Sequence, residues 1–320
     1  MNVPLPQPFV DRIISIYPDQ ASKILLSFEK KRATTIRVNT IHATVKEIET
    51  YFEQKNIQHS SVKGLPDALI VNALSPREIT ELPIYTEGKI YIQSLSSMVP
   101  VRVLDPQQNE RILDMAAAPG SKTSQLGAYM NNTGEIIAND IDRNRLFKLK
   151  AIIKTLGVSN VSVTSIPGQA LWQKYPEYFD CVLLDAPCSM EGRFDTNDPK
   201  SFDHWSLKKV KNLAKLQQWL LRSAISATKV GGTIVYSTCT ISPEENEGVV
   251  SWILEKEKGN IELEEIVLAG IEMVDGITAF GDKKFTSESI KTKRIVPSEL
   301  FEAFYVAKFR KVASTVVQHM

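Results

Sequence analysis

The sequence predicts an α/β protein in which a doubly wound parallel sheet follows a small α+β domain. From Arg111 onward, short apolar runs alternate with stretches of helical periodicity, which is the pattern of strands joined by crossover helices. Small, acidic and cysteine residues follow the ends of several of these runs. Because ligands bind at the carboxyl ends of the strands in such sheets, these residues are expected to share one site.

The amino-terminal domain is predicted to comprise residues 1–105. Its first helix should end before Pro18, because proline cannot continue a helix. The residues that follow predict, in order, a strand, a helix and a second strand at Thr34–Val38, Val45–Lys55 and Ala68–Val71. The segment Tyr91–Leu104 then leads into the second domain.

The second domain is predicted to comprise residues 106–320. Its apolar runs predict five strands, at Arg111–Met115, Glu135–Asn139, Val161–Ser165, Phe179–Leu184 and Thr233–Ser237. Helices are predicted between them at Lys122–Met130, Arg143–Leu156 and Ser206–Lys229. Successive strands of such a sheet are usually neighbours, so the fourth and fifth strands should be adjacent.

The composition is that of an ordinary globular protein, with 43% hydrophobic and 23% charged residues in a chain of 320. The sequence begins without a secretory signal pattern, and its apolar runs fall short of the ~18 residues that a membrane span needs. We therefore expect a cytoplasmic protein that is monomeric and not bound to a membrane. Three cysteines and four scattered histidines predict neither a disulfide framework nor a metal site.

Positive charge is concentrated in two segments, although the net charge is only +1. Residues 193–229 and residues 283–311 each contain eight Lys or Arg against three acidic residues. Such segments form either phosphate-binding patches or solvated helix faces. The sequence alone leaves both interpretations open.

A ligand-binding turn is predicted after the first strand of the second domain, where the sequence reads Ala116-Ala-Ala-Pro-Gly-Ser-Lys122. Its small side chains let a ligand approach the backbone, and amides at a helix start favour an anionic group. Asp140 closes the next strand, where an acid can accept hydrogen bonds from ribose hydroxyls. This pattern alone does not identify the cofactor, since it would fit a dinucleotide-binding enzyme almost as well. Lys122 could alternatively be a lysine in the first turn of the helix that is exposed to solvent.

Two cysteines follow the ends of consecutive predicted strands. One strand runs into Asp185-Ala-Pro-Cys188, and the next runs into Thr238-Cys239. Adjacent strands lie ~4.8 Å apart, so the two thiols and the carboxylate should share one cleft. Each cysteine is alternatively a small buried hydrophobic residue, which is the interpretation we favour for Cys181 inside its apolar strand.

The residues after Cys239 favour its reactivity. Ser242-Pro243-Glu244-Glu245 predicts the start of a helix, with Ser242 as the N-cap and Pro243 in the first turn. A helix amino terminus stabilises negative charge and so favours the thiolate form of a nearby cysteine.

Methylation of carbon 5 of a cytosine would use this set of groups. That carbon is a poor nucleophile until a thiolate, here Cys239, adds to carbon 6 of the ring. A carboxyl group at nitrogen 3 stabilises the adduct, which is the role expected of Asp185. After methyl transfer the carbon 5 proton must leave and the thiol must be eliminated, and Cys188 is the candidate to assist.

The motifs around the turn and the two cysteines resemble those of the Sun/Nop family of RNA cytosine-5 methyltransferases, most closely its bacterial ribosomal RNA (RsmF) branch. They read Ala-Ala-Ala-Pro-Gly-Ser-Lys-Thr, Leu-Leu-Asp-Ala-Pro-Cys-Ser and Tyr-Ser-Thr-Cys-Thr. The resemblance covers nearly the whole chain, including residues 35–40, 91–98 and 302–307. It implies a Rossmann-like methyltransferase domain behind a small RNA-binding domain, with S-adenosyl-L-methionine as the cofactor.

The resemblance also implies roles for individual residues. Cys239 would be the nucleophile, Cys188 would assist its release, and Asp185 would complete the catalytic set. The cofactor-contacting positions would be Ala116, Ala117, Ala118, Pro119, Gly120, Ser121, Lys122, Asp140 and Asp185.

Two departures from the family pattern limit what it implies. The family usually has an acid after the third strand, at the adenine edge, where this chain has Pro167; adenine recognition must then use other groups or be weaker. Relatives in the RsmF branch often carry further carboxy-terminal RNA-binding domains, whereas this sequence ends at Met320. The target RNA is therefore left open, with ribosomal RNA favoured and transfer RNA as the alternative.

Three other functions fit parts of the sequence less well. A DNA cytosine-5 methyltransferase would use Cys188 as its nucleophile, but the Glu-Asn-Val motif of those enzymes is not apparent. An amino-group methyltransferase would carry an Asn/Asp-Pro-Pro-Tyr loop in place of Asp185-Ala-Pro-Cys188. An RNA-binding ribosome-assembly factor without essential catalysis would need neither thiol.

Overall fold

The computed structural model describes residues 3–72 and 74–316 of the chain. The amino-terminal elements are α1 (Gln7–Ile16), α2 (Ala21–Ser27), β1 (Thr34–Val38), α3 (Val45–Gln54), β2 (His59–Val62), β3 (Leu65–Val71), α4 (Pro76–Thr80), α5 (Pro83–Thr86) and β4 (Ile90–Ile92). The next elements are α6 (Leu95–Leu104), β5 (Arg111–Asp114), α7 (Ser121–Tyr129), β6 (Glu135–Asn139), α8 (Arg143–Thr155), β7 (Val161–Thr164), α9 (Leu171–Lys174), β8 (Phe179–Asp185), α10 (Leu207–Ala227) and β9 (Thr228–Thr238). The carboxyl-side elements are α11 (Glu247–Lys256), β10 (Ile261–Glu264), β11 (Val274–Asp275), β12 (Ala279–Phe280), β13 (Lys283–Lys284), β14 (Lys293–Ile295) and β15 (Phe304–Lys311).

The smaller sheet is antiparallel, with the strand order β2-β3-β1-β4. Helix α3 covers it, because its buried residues Ile48 and Phe52 join Ile36 and Leu69 of the sheet in one core. The helix starts at a capping box in which Thr44 and Glu47 satisfy each other's backbone amides.

The first two helices do not pack on this sheet. Phe9 of α1 lies 5.6 Å from Phe28, which follows α2, and 4.7 Å from Phe194, measured between ring centroids. Phe194 belongs to the loop after Cys188. The amino-terminal helices therefore cover the main sheet's loops, and the division near residue 105 remains a prediction.

The larger sheet has the order β11-β14-β15-β9-β8-β5-β6-β7, with β10 paired to β15. Strands β9, β8, β5, β6 and β7 run parallel to their neighbours in this series. Strands β8 and β9 are adjacent, with Asp185 opposite Ser237. The predicted parallel sheet and the adjacency of its fourth and fifth predicted strands are confirmed.

Helices cover both faces of this sheet. Val182 and Leu184 of β8 pack in the same core as residues of α10 and α11, whereas Cys181 and Leu183 pack with residues of α6 and α7. This alternation follows from the two-residue repeat of a strand. With a helical layer on each face, the predicted doubly wound α/β class is confirmed.

The carboxyl-side antiparallel strands β10, β11, β14 and β15 were not expected from the sequence. Strand β15 carries Lys308, Arg310 and Lys311, so its residues were assigned to a basic segment instead. Lys311 is nonetheless fully buried, and its ammonium group donates to the carbonyls of Ile225 and Thr228. Its ammonium group also lies 2.9 Å from a carboxylate oxygen of Glu177. An anion and backbone carbonyls thus replace water around this lysine, which allows a charged residue inside a strand.

A buried ion pair fixes this antiparallel edge to the rest of the domain. Arg294 of β14 donates from Nε and Nη2 to the two carboxylate oxygens of Glu247, at the start of α11, at 2.7 and 2.5 Å. Its Nη1 donates to the carbonyl of Ile241 and to the hydroxyl of Tyr17. One side chain therefore joins the edge strand, α11, the loop after Cys239 and the amino-terminal helices.

Among the described helices, none is long and apolar enough to span a membrane.

Candidate active site

A cleft of about 760 Å³ opens at the carboxyl edge of the parallel strands. It is formed by the segments that follow β5, β6, β7, β8 and β9, with Leu216 and Leu220 of α10 on one wall. The predicted site residues that line it are Ala116, Ala117, Ala118, Pro119, Ser121, Lys122, Asp140, Asp185, Cys188 and Cys239. The structure therefore brings the turn, both acids and both cysteines to one place.

The turn after β5 depends on Gly120, which lies beneath it and not on the cleft surface. Its φ of +116° lies in the left-handed region, and a Cβ atom there would come within 2.9 Å of the Leu149 side chain. Only glycine satisfies both conditions without displacement. Helix α7 begins at the next residue, and Ser121 and Lys122 of its first turn line the cleft.

Asp140 is fixed beside this turn. Its Oδ2 accepts the amide of Ala118 at 3.2 Å, its Oδ1 accepts the amide of Asp142 at 2.9 Å, and Arg145 approaches within 3.4 Å. Each carboxylate oxygen retains a lone pair for a ligand hydroxyl.

Lys122 and Asp185 form an ion pair in the cleft, with 2.6 Å between Nζ and Oδ2. Lys122 is buried and also donates to Ser97 Oγ at 2.8 Å, while Ser237 donates to Asp185 Oδ1 at 2.9 Å. A solvated lysine, the alternative reading of Lys122, is excluded. These bonds hold the Asp185 carboxylate at a fixed orientation between the turn and the cysteines.

The two cysteine sulfurs lie 3.3 Å apart. Both thiols are buried at the base of the cleft, with about a tenth or less of each residue exposed. The hydrogen bond with Cys239 and burial both raise the pKa of Cys188 well above its ordinary value. Cys188 therefore keeps its proton at neutral pH.

Hydrogen bonds to Glu191 connect the loop after Cys188 to the loop after Cys239. The carboxylate of Glu191 is fully buried and accepts from Thr240 Oγ1, the Ile241 amide, Ser242 Oγ and Trp205 Nε1 at 2.6–3.1 Å. Four donors compensate the loss of hydration that burial of a charge entails. The backbone amide of Gly192 also donates to the carbonyl of Cys239 at 2.9 Å.

The predicted helix start at Ser242 is wrong. Helix α11 begins at Glu247, and residues 243–246 form a turn. The Ser242 hydroxyl does not cap a helix there but donates to Glu191 and accepts from Arg12. Cys239 therefore does not lie at a helix amino terminus, and the reason we gave for its reactivity does not hold.

Glu245 in this turn is a second buried acid next to the cysteines. Its Oε2 accepts the amide of Ser189 at 3.0 Å and Nε2 of Gln217 at 2.8 Å, while Oε1 has no hydrogen-bond partner among the described residues. Burial, with a contribution from Glu191, raises the pKa of Glu245 from its ordinary 4.5 to about 8. The neutral acid thus supports the loop that carries Cys188 at neutral pH.

Arg193 and Met190 are cleft residues that the sequence analysis missed. The attraction of Cys239, together with Glu302 and Asp185, raises the pKa of Arg193 against the opposing effect of burial. A permanent cation beside the thiols stabilises a thiolate. Met190 has a φ of +60°, an unusual conformation for a residue with a side chain. Arg193 was noted in the sequence only as the start of a basic segment, and no sequence signal pointed to Met190.

Cys181 lies apart from this site. It is buried within β8, and burial raises the pKa of its thiol.

Among the described residues, no three His, Cys, Asp or Glu side chains cluster closely enough to hold a metal ion.

Comparison with known families identifies the family to which the chain belongs. The profile of a family described as 16S rRNA methyltransferase RsmB/F matches residues 101–310. A second profile, for the ferredoxin-like domain of RsmF/B-like methyltransferases, matches residues 5–76. The chain belongs to the RsmB/F methyltransferase family. The family resemblance that the motifs predicted is confirmed.

Curated relatives of this RsmB/F family member act on different RNAs according to their names. Ribosomal RNA small subunit methyltransferase F of Vibrio cholerae is 36% identical over 98% of this chain, which spans 65% of that protein's length. The tRNA (cytosine(49)-C(5))-methyltransferase of Pyrococcus abyssi is 39% identical over 92% of this chain and 93% of its own length.

Solved structures agree with the fold of this family member. A methyltransferase homolog protein from Pyrococcus horikoshii has a TM-score of 0.84 at 33% identity, covering 96% of this chain and 95% of its own. NSun6 from Pyrococcus horikoshii, solved with SFG, has a TM-score of 0.81 at 26% identity. The match covers 97% of this chain and 99% of the NSun6 chain.

The raised pKa of Glu245 predicts a pH-dependent difference in stability between the wild type and Glu245→Gln. The stability that the neutral acid contributes is complete below about pH 4.5 and is lost as the pH rises through about 8. Glutamine stays neutral, so the unfolding free energy of the wild type should fall relative to the variant between pH 5 and pH 9, by at most ~1.4 kcal/mol per pH unit.

Urea unfolding at several pH values measures this difference. Glu53→Gln, a change at an exposed residue of α3, is the matched control and should show no such trend. A constant difference between wild type and Glu245→Gln across this range would show that Glu245 is not buried as a neutral acid.

Proposed function

We propose that this protein transfers a methyl group from S-adenosyl-L-methionine to carbon 5 of a cytosine in structured RNA, through a covalent adduct with Cys239. The observation that carries the proposal is the pair of thiols 3.3 Å apart in a cleft that also contains Asp185 and Lys122. A protein that only binds RNA needs neither thiol. Membership of the RsmB/F family, whose profile is described as a 16S rRNA methyltransferase, supports the same reaction.

The residues of the cleft fit S-adenosylmethionine. The Ala116–Lys122 turn leaves room for the backbone to contact a ligand, and Asp140 has lone pairs available for ribose hydroxyls. A related structure was solved with SFG, an analogue of this cofactor. When bound, the cofactor supplies an electrophilic methyl group.

Adenine would be held without the usual acid after the third strand. Pro167 lines the cleft, together with Ile141, which is 62% exposed beside Asp140. These two apolar side chains suit the faces of an aromatic ring. Gln169 brings a side-chain amide to the same rim and can serve the polar edge of the base.

Cys239 would act first. Its sulfur forms a bond to carbon 6, and the electron pair of the carbon 5–carbon 6 double bond becomes available at carbon 5. Arg193 favours the attacking thiolate, and the Lys122–Asp185 pair provides the proton and the hydrogen bond that nitrogen 3 requires. Carbon 5 then accepts the methyl group.

Cys188 would act only afterwards. Its pKa is raised chiefly by the hydrogen bond with Cys239, and a Cys239 sulfur bonded to carbon 6 no longer carries the thiolate charge. Cys188 can then lose its own proton to solvent and, as the thiolate, accept the proton of carbon 5. The electron pair of that C–H bond restores the ring double bond, and the bond between Cys239 and carbon 6 breaks. The order of events follows from the contact between the thiols.

We propose ribosomal RNA as the target, since several relatives methylate ribosomal RNA according to their names. Transfer RNA is the alternative, because the Pyrococcus abyssi relative matches this chain over nearly its full length. In either RNA the cytosine must be unpaired or flipped out, because carbon 6 cannot be attacked inside a base stack.

The function predicts transfer of labelled methyl from S-adenosylmethionine to RNA and not to DNA or protein. Cys239→Ala should lose essentially all transfer while binding cofactor and RNA as the wild type does, because no other thiolate can replace it. Cys181→Ala, which removes a cysteine outside the cleft, is the control and should stay active. Near-wild-type transfer by Cys239→Ala would exclude this nucleophile.

The cofactor site predicts that Asp140→Ala weakens binding of S-adenosylmethionine by about 1.5–3 kcal/mol, the range for hydrogen bonds to a charged group. Pro167→Asp should leave the affinity unchanged or improve it, because it restores an acid at the adenine edge. Isothermal titration calorimetry measures both. Undiminished affinity in Asp140→Ala would contradict the assignment of this cleft to the cofactor.

A further inference from the structure

The two basic segments of the sequence meet in one groove. Lysines from the amino-terminal half of α10 line one side of it, and the β12–β13 hairpin lines the other, with α11 at its base. The groove has a volume of about 770 Å³. The lysines that line it are Lys208, Lys211, Lys215, Lys283 and Lys284. We call this surface the lysine groove.

These five lysines have no anionic partner in the protein. All are exposed, and among the described residues none lies within 4.0 Å of a carboxylate oxygen. Two acidic residues line the groove, and one of them, Glu244, is already paired with Arg12. Lysines of like charge held together without counterions favour a polyanion as the ligand.

Aromatic side chains lie among the lysines. Trp252 and Phe285 line the groove, and Trp219 packs edge-on against Trp252 with 5.9 Å between ring centroids. Trp219 is itself half exposed. Lysines that contact a backbone and aromatic rings that stack on bases are the two components of a surface for single-stranded nucleic acid.

The lysine groove lies within reach of the active-site cleft. Glu244 of the groove and Cys239 of the cleft are five residues apart, so at most about 18 Å of chain separates them. Helix α10 also serves both surfaces, with Leu216 and Leu220 in the cleft and Lys211 and Lys215 in the groove. A single strand whose cytosine enters the cleft can therefore continue into the groove.

We propose that the lysine groove binds a single-stranded segment of the substrate RNA that flanks the target cytosine. The inference rests on the proposed function for the identity of the substrate, but the groove itself binds by charge and stacking. It therefore determines the affinity for RNA and does not take part in methyl transfer.

The test replaces Lys208, Lys211 and Lys215 together with glutamine. The matched control replaces Lys148, Lys150 and Lys154, three exposed lysines of α8, in the same way. Binding of a fluorescent, cytosine-containing single-stranded RNA of about 20 nucleotides is followed by anisotropy at several salt concentrations. Methyl transfer to small-subunit ribosomal RNA is measured in parallel.

We expect the groove variant to bind the oligonucleotide at least ~10-fold more weakly, with the salt dependence of log K reduced by about 2 because three phosphate contacts are lost. Its KM for RNA should rise while kcat at saturating RNA and the affinity for S-adenosylmethionine stay unchanged. The α8 control should behave as the wild type.

Wild-type affinity in the groove variant, or an equal loss in both variants, would overturn the assignment of RNA to this groove. If the wild type methylated no RNA, the proposed function would be contradicted instead. In that case the binding measurement still decides whether the groove holds single-stranded RNA.

Discussion

The buried carboxylate of Glu191 is the constraint on which the site depends. It lies on the loop that follows Cys188, yet three of its four hydrogen-bond donors come from residues 240–242, directly after Cys239. A buried carboxylate without these donors would be costly, so the two loops must stay together for the protein to fold. The 3.3 Å contact between the cysteines is therefore a consequence of the fold and does not require a bound substrate.

That contact explains how two chemically identical side chains can have different roles. Neighbouring thiols do not ionise independently, and the hydrogen bond with Cys239 raises the pKa of Cys188. Arg193 adds a cation on the same side. In the proposed mechanism, bonding of Cys239 to carbon 6 would remove the largest cause of the raised pKa of Cys188, while the effect of burial would remain. Under the proposal, this one contact would make Cys239 act first, as the nucleophile, and Cys188 second, as the base.

Local patterns in the sequence predicted the parallel sheet, the Ala116–Lys122 turn and the placement of both cysteines at strand ends. Those features depend on residues close together in the chain. The burial of Glu191 and Glu245 was not predicted, and Glu245 was assigned instead to the first turn of a helix. Nothing in the residues around a glutamate reveals that partners some 50 positions away will bury it. The same network explains the wrong helix start, since Ser242 donates to Glu191 instead of capping α11. The lysine groove was predicted only as two separate basic segments, which the fold brings together.

The assignment of the two cysteines is tested most directly by trapping the protein on its substrate. After incubation of each variant with RNA and S-adenosylmethionine, a denaturing gel separates free protein from a covalent protein–RNA species that nuclease removes. If Cys239 attacks and Cys188 releases, the species accumulates in Cys188→Ala and is absent from both Cys239→Ala and the double variant. A species that forms in Cys239→Ala but not in Cys188→Ala would reverse the two roles, and methyl transfer without any trapped species would contradict the covalent mechanism.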